Sequence, residues 1–107
     1  MKLTPKQTEE LIHRRRRQIL VHSIIYYRLG ETIVEDAVFD SWAKQLFQLQ
    51  TDNLQLSESI PYMRYQFADW TGETGFHLPL MDKAATAIAE QLLESYKNSK
   101  VAVPVEL

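Results

Sequence analysis

The sequence predicts an all-α fold: an antiparallel helical hairpin, an aromatic-rich irregular connection and a third, C-terminal helix. Three observations predict it. Apolar residues recur at spacings of three, four and seven in three separate segments, the period of a helix face. The helix breakers Pro and Gly stand at the edges of those segments or between them. At 107 residues the chain has room for one hydrophobic core, so a single domain over 1–107 is expected.

The first helix begins at a legible signal. Thr4 suits the cap, Pro5 suits the first helical position, and Gln7 completes a capping box three residues on. Ile12, Ile19 and Tyr26 then recur every seven residues, with Leu20, Ile24 and Tyr27 on an adjoining strip. The pattern predicts a long amphipathic helix to about Arg28, with Gly30 as its stop. The connector Glu31-Thr32-Ile33-Val34 leads to a second helix from about Glu35 to Leu49. Its first turn carries Glu35 and Asp36, where carboxylates suit the positive end of the helix dipole. Val38, Trp42, Leu46 and Leu49 form its apolar stripe, flanked by Phe39, Ala43 and Phe47. So short a link folds two helices back on each other.

Residues 51–78 predict an irregular stretch. Pro61, Gly72 and Gly75 interrupt any helical period, and Tyr62, Tyr65, Phe67, Trp70 and Phe76 alternate with polar residues. A short helical turn, or a small hairpin at Gly72-Glu73-Thr74-Gly75, fits there. The third helix is expected from near Pro79 or Asp82 to about Asn98, with Met81, Ala85, Ile88, Leu92 and Tyr96 on its core face. Residues 99–107 read as a loosely held tail.

Composition excludes several chemistries. Apolar residues make up 45% and charged residues 24%, a globular balance. The chain has no cysteine, which removes disulfides, thiolate nucleophiles and cysteine-ligated metals, and fits a reducing cytoplasm. No signal peptide or membrane-length apolar run is present, so the expectation is a cytoplasmic protein with no membrane partner. The three histidines, His13, His22 and His77, lack a ligand spacing. All three are expected at the surface or as caps, and no metal is expected. No nucleophile elbow or phosphate-cradling loop occurs. Arg14, Arg15, Arg16 and Arg17 are candidate contacts for phosphate or an acidic partner. Four consecutive helical residues point around most of the helix, however, and the net charge of −2 argues against nucleic acid.

One constellation carries more. Tyr26 and Tyr27 end the first helix, while Asp36, Phe39 and Asp40 occupy the opening turns of the second, with Asp36 and Asp40 at i, i+4 on one face. In a hairpin these groups converge near the connector. Aromatic faces beside carboxylates suit a flat ligand that is cationic or bears hydroxyls, because rings stack and carboxylates accept hydrogen bonds. They would equally staple the bend and cap the helix.

The pattern His22-x-x-x-Tyr26-Tyr27 followed by Asp36-Ala37-Val38-Phe39-Asp40 resembles the N-terminal Ia domain of bacterial NAD-dependent DNA ligases. The resemblance spans about residues 8–50. It implies a helical hairpin that closes over the nicotinamide mononucleotide (NMN) half of NAD, with ligand contacts at Tyr26, Tyr27, Asp36, Phe39 and Asp40. Phe39 stands where that family usually has tyrosine, Ile24 replaces a frequent aromatic, and Glu35 stands where a small cap or proline is usual. The family's Asp-Ser-Pro-Thr segment is missing. The adenylation lysine motif Lys-x-Asp-Gly is also missing, so closure over NAD meets no nucleophile and no catalysis is expected. Such a ligase-related small protein would be at home in bacteria or their viruses.

Three functions follow as expectations. The first is a non-catalytic module for a protein partner or self-association through the aromatics of 62–76. The second is an accessory domain binding NMN or NAD through Tyr26, Tyr27, Asp36, Phe39 and Asp40. The third is nucleic-acid binding through Arg14–Arg17.

Overall fold

The computed structural model describes residues 2–72, 75 and 77–99. The expected tail beyond residue 99, Phe76 and the centre of the segment 72–75, where a small hairpin is one expectation, lie outside them. Among the described residues the fold is all-helical and contains no strand, with α1 at Pro5–Tyr27, α2 at Asp36–Asp52, α3 at Leu54–Ser59 and α4 at Lys83–Ser99. No helix among the described residues is long and apolar enough to cross a membrane.

The start of α1 follows from its capping box. The Thr4 hydroxyl accepts from the Gln7 N–H at 3.1 Å, and the Gln7 side chain accepts from the Thr4 N–H at 2.9 Å. Its end is set by Gly30, whose φ of 68° takes the left-handed conformation that turns the chain off the helix axis. The Glu31 N–H then reaches back to the Ile25 carbonyl at 3.0 Å, satisfying an otherwise orphan acceptor. Asp82 caps α4 by accepting from the Ala85 N–H at 2.9 Å.

Helix α1 is the centre of the molecule. The sequence predicts one apolar face, yet every residue from Gln18 to Ile25 is buried. The reason is that α1 is covered on more than one side. Both α2 and α4 pack along it, and Gly75 lies against Ser23. Gln18, His22 and Ser23, polar by type, are thereby enclosed with Ile19, Leu20 and Ile24. Contacts with α2 run in opposite numerical order, Gln45 beside Arg15 and Trp42 beside His22, so α2 returns along α1.

The core joins Ile12, Ile19, Leu20 and Ile24 of α1 to Trp42, Ala43 and Leu46 of α2, and to Ala85, Ala89 and Leu92 of α4. Tyr26 and Tyr27 do not join it; they are 58% and 40% exposed. Met81, expected on the core face of α4, is also exposed, because it precedes the helix.

The stretch from residue 51 is less irregular than expected. Helix α2 continues to Asp52, and after a break at Asn53 (φ −131°, ψ 52°) α3 follows at once. No Pro or Gly occurs between Thr51 and Ile60, so nothing there forbids helix, and Pro61 is the effective stop. Residues 62–69 form consecutive turns, with Met63 in the left-handed region at φ 53°.

Candidate functional site

At the bend between α1 and α2 lies a cavity of about 200 Å³. Tyr26 and Tyr27 line it from the end of α1, Asp36, Phe39 and Asp40 from the first turns of α2, and Glu31 to Val34 from the connector. All five residues singled out as ligand contacts therefore border one space. The two tyrosine rings meet edge to face, with centroids 4.9 Å apart. Phe39 is half-buried and packs against the core, so its ring forms a fixed wall, whereas Asp36 and Asp40 are exposed at the opening.

The lip is held from outside. The Arg28 guanidinium donates to the Leu80 carbonyl at 3.0 Å and to the Thr86 hydroxyl at 2.8 Å, tying the end of α1 to α4. Lys97 of α4 pairs with Glu31 of the connector at 3.2 Å. Both partners of that pair are well exposed, so it guides the connector rather than anchoring it.

The cavity also has an inner wall, beyond the five expected ligand contacts. His22 and Ser23 also line the cavity, as does Gly75. His22 is not a surface or capping histidine. It is 4% exposed, its ring tilts against Trp42 at 5.2 Å, and burial pushes its pKa down to about 4, so it is neutral at pH 7. Neither its Nε2 nor the Ser23 Oγ has a hydrogen-bond partner among the described residues. A Cβ at position 75 would lie 1.9 Å from the Ser23 Oγ, so only glycine fits there. The signal for this wall was present: His22 and Ser23 sit three and four residues after Ile19, on the same helix face.

The arginine run divides. Arg16 is 1% exposed. Its Nε donates to Gln50 at 2.8 Å, and its terminal nitrogens donate to the carbonyls of Ser57, Ile60 and Tyr62 and to the Ser57 hydroxyl. All five N–H groups are spent on the protein, so none remains for phosphate. Burial also lowers its pKa to about 10, which leaves it charged at pH 7. Arg15 donates to Gln45 and Gln18, and Arg14 and Arg17 border a shallow surface cleft with Glu9 and Glu10. His13 lies outside the bend and stacks on Tyr62 at 4.8 Å.

The aromatics of 62–76 separate as well. Phe67 is fully buried, Tyr62 and Trp70 are half-buried, and Tyr65 is 76% exposed; Phe76 lies outside the described residues. Tyr65, Phe47 and Leu54 border an open groove of about 520 Å³. Compared with models of protein families, with curated proteins and with solved structures, the chain matches none.

Proposed function

We propose that this chain is a non-catalytic helical module that binds a small, ring-bearing ligand of the nicotinamide mononucleotide class at the bend between α1 and α2. One observation carries the reading: Tyr26, Tyr27, Asp36, Phe39 and Asp40, picked out in the sequence, border a single cavity. The chemistry suits such a ligand. Aromatic faces attract a flat cationic ring, and carboxylates at the opening accept from sugar hydroxyls. At about 200 Å³ the cavity is smaller than the roughly 300–1,000 Å³ of pockets that engulf drug-sized ligands. It holds one ring and its substituents and leaves the rest of a dinucleotide outside.

Calorimetric titration with NMN and NAD tests the proposal. Both should bind with similar affinity, and Asp40→Asn should weaken both at least tenfold. No heat and no change in melting temperature at millimolar ligand would reject it.

A second reading is a partner-binding module. The groove beside Tyr65 favours it, because Leu54 is 61% exposed there and Phe47 is 40% exposed. With Phe67 in the core, however, the exposed aromatic surface is narrower than the sequence implies. Sedimentation at increasing protein concentration tests self-association through that face. Nucleic-acid binding is the least supported, since Arg16 is committed internally.

A further inference from the structure

The groove of about 520 Å³ beside α3 carries charge as well as apolar surface. Leu54, Tyr65 and Phe47 border it and are all exposed. Glu58 and Arg64, also exposed, border the same groove. These two residues are neighbours, since the Arg64 Nη1 reaches the Glu58 main-chain carbonyl at 3.5 Å. Their side chains nevertheless form no ion pair among the described residues. The Arg64 guanidinium is turned onto Tyr65 instead. Its carbon lies 4.6 Å from the ring centroid, and Nη2 donates to the Tyr65 hydroxyl. An apolar patch therefore carries one carboxylate and one guanidinium side by side, neither neutralised by the other.

We infer that this groove is the interface with a second copy of the chain, related by a two-fold axis that passes between Glu58 and Arg64. The surface is complementary to itself. In a two-fold contact, if one residue meets a second across the axis, the second meets the first, so Glu58 of each copy faces Arg64 of the other. Leu54, Tyr65 and Phe47 then cover their counterparts at the centre, and the four charges form two opposite pairs at the rim. Exposed ion pairs add little affinity, but they fix orientation, because any register that sets like charges together is repelled. A standard interface takes about 800 Å² from each partner, and three exposed apolar side chains fill only the centre of such an area. The dimer is accordingly a weak and reversible one.

This inference deepens the partner-binding reading of the groove and rests on it, independently of the cavity at the bend. Sedimentation velocity over a range of concentrations is run on the full chain, on Glu58→Arg, on Arg64→Glu, on the chain with both changes, and on an equimolar mixture of the two single variants. The full chain should show a concentration-dependent dimer, and Leu54→Asp should abolish it. Each single charge variant sets like charges opposite each other at both rim positions and should weaken the dimer by about tenfold or more. Mixing the two single variants should restore it as a heterodimer, and the double variant should restore it as a homodimer. A misfolded chain would rescue nothing, so the mixture also controls for folding. A dimer lost in Leu54→Asp but indifferent to the charge changes overturns the two-fold pairing and leaves self-association through the groove standing. So do single variants that stay monomeric when mixed. A full chain that is monomeric at millimolar concentration, or a dimer indifferent to all three single changes, overturns both.

Discussion

Two buried polar residues on α1 dominate at the residue scale. Arg16 clamps α1 to the end of α3 through Ser57 and Ile60 and to Tyr62 beyond it. Arg16→Met leaves those carbonyls and Gln50 without a donor. The expected loss is about 3 kcal/mol or more in urea unfolding, a large share of a marginal stability. Arg16→Lys should recover little of it, since an ammonium cannot reproduce the five-donor fork. A loss below about 1 kcal/mol for Arg16→Met would contradict the clamp. His22 gives a pH signature. Its folded pKa is near 4 against 6.5 for the free side chain, so the unfolded chain binds the proton more readily. Stability is therefore full above pH 6.5, falls as pH drops towards 4, and levels off below it, by roughly 3 kcal/mol in all. Urea midpoints across that window check this, and His22→Phe should flatten the slope. Only part of this was legible beforehand. Four identical arginines hide which one points inward, although Arg16 lies four residues after Ile12 and three before Ile19, and that register marks it.

At the scale of the element, the helices were legible where capping and periodicity agree. The Thr4-Pro5-Gln7 start and the Gly30 stop both operate in the structure. Helix α3 was not legible as a separate element, because the segment 51–78 reads as irregular on the strength of Pro61, Gly72, Gly75 and the scattered aromatics, all of which follow Leu54–Ser59. The buried polar wall was hidden for a different reason. A helix covered on several sides encloses polar positions that its own pattern assigns to solvent, and that coverage comes from residues distant in sequence, Trp42 on His22 and Gly75 on Ser23. Gly75 is the element-level test. Gly75→Ala should destabilise by about 1–3 kcal/mol through overpacking against Ser23. Ser23→Gly should rescue it, because the hydroxyl and the Cβ that collide both disappear. Thermal unfolding of the two single variants and the double variant measures the coupling, and additive losses would place the strain elsewhere.

In the whole molecule α1 is a central strut whose far end, with the start of α2, borders a small cavity, the proposed ligand site. The family resemblance implied five of its bordering residues as ligand contacts, and the fold adds Ser23 and Gly75 to its lining together with His22, the first residue of the same motif. A ligand that binds only the folded chain should raise stability by about 2.7 kcal/mol at a hundred times its dissociation constant. The most direct measurement is an amide NMR titration of the full chain with NMN. The account predicts the largest shifts at His22 to Tyr27, at Gly30 to Asp40 and at Gly75, with Leu54 to Tyr65 unmoved. Shifts centred on Leu54 to Tyr65, or none at millimolar NMN, would contradict it.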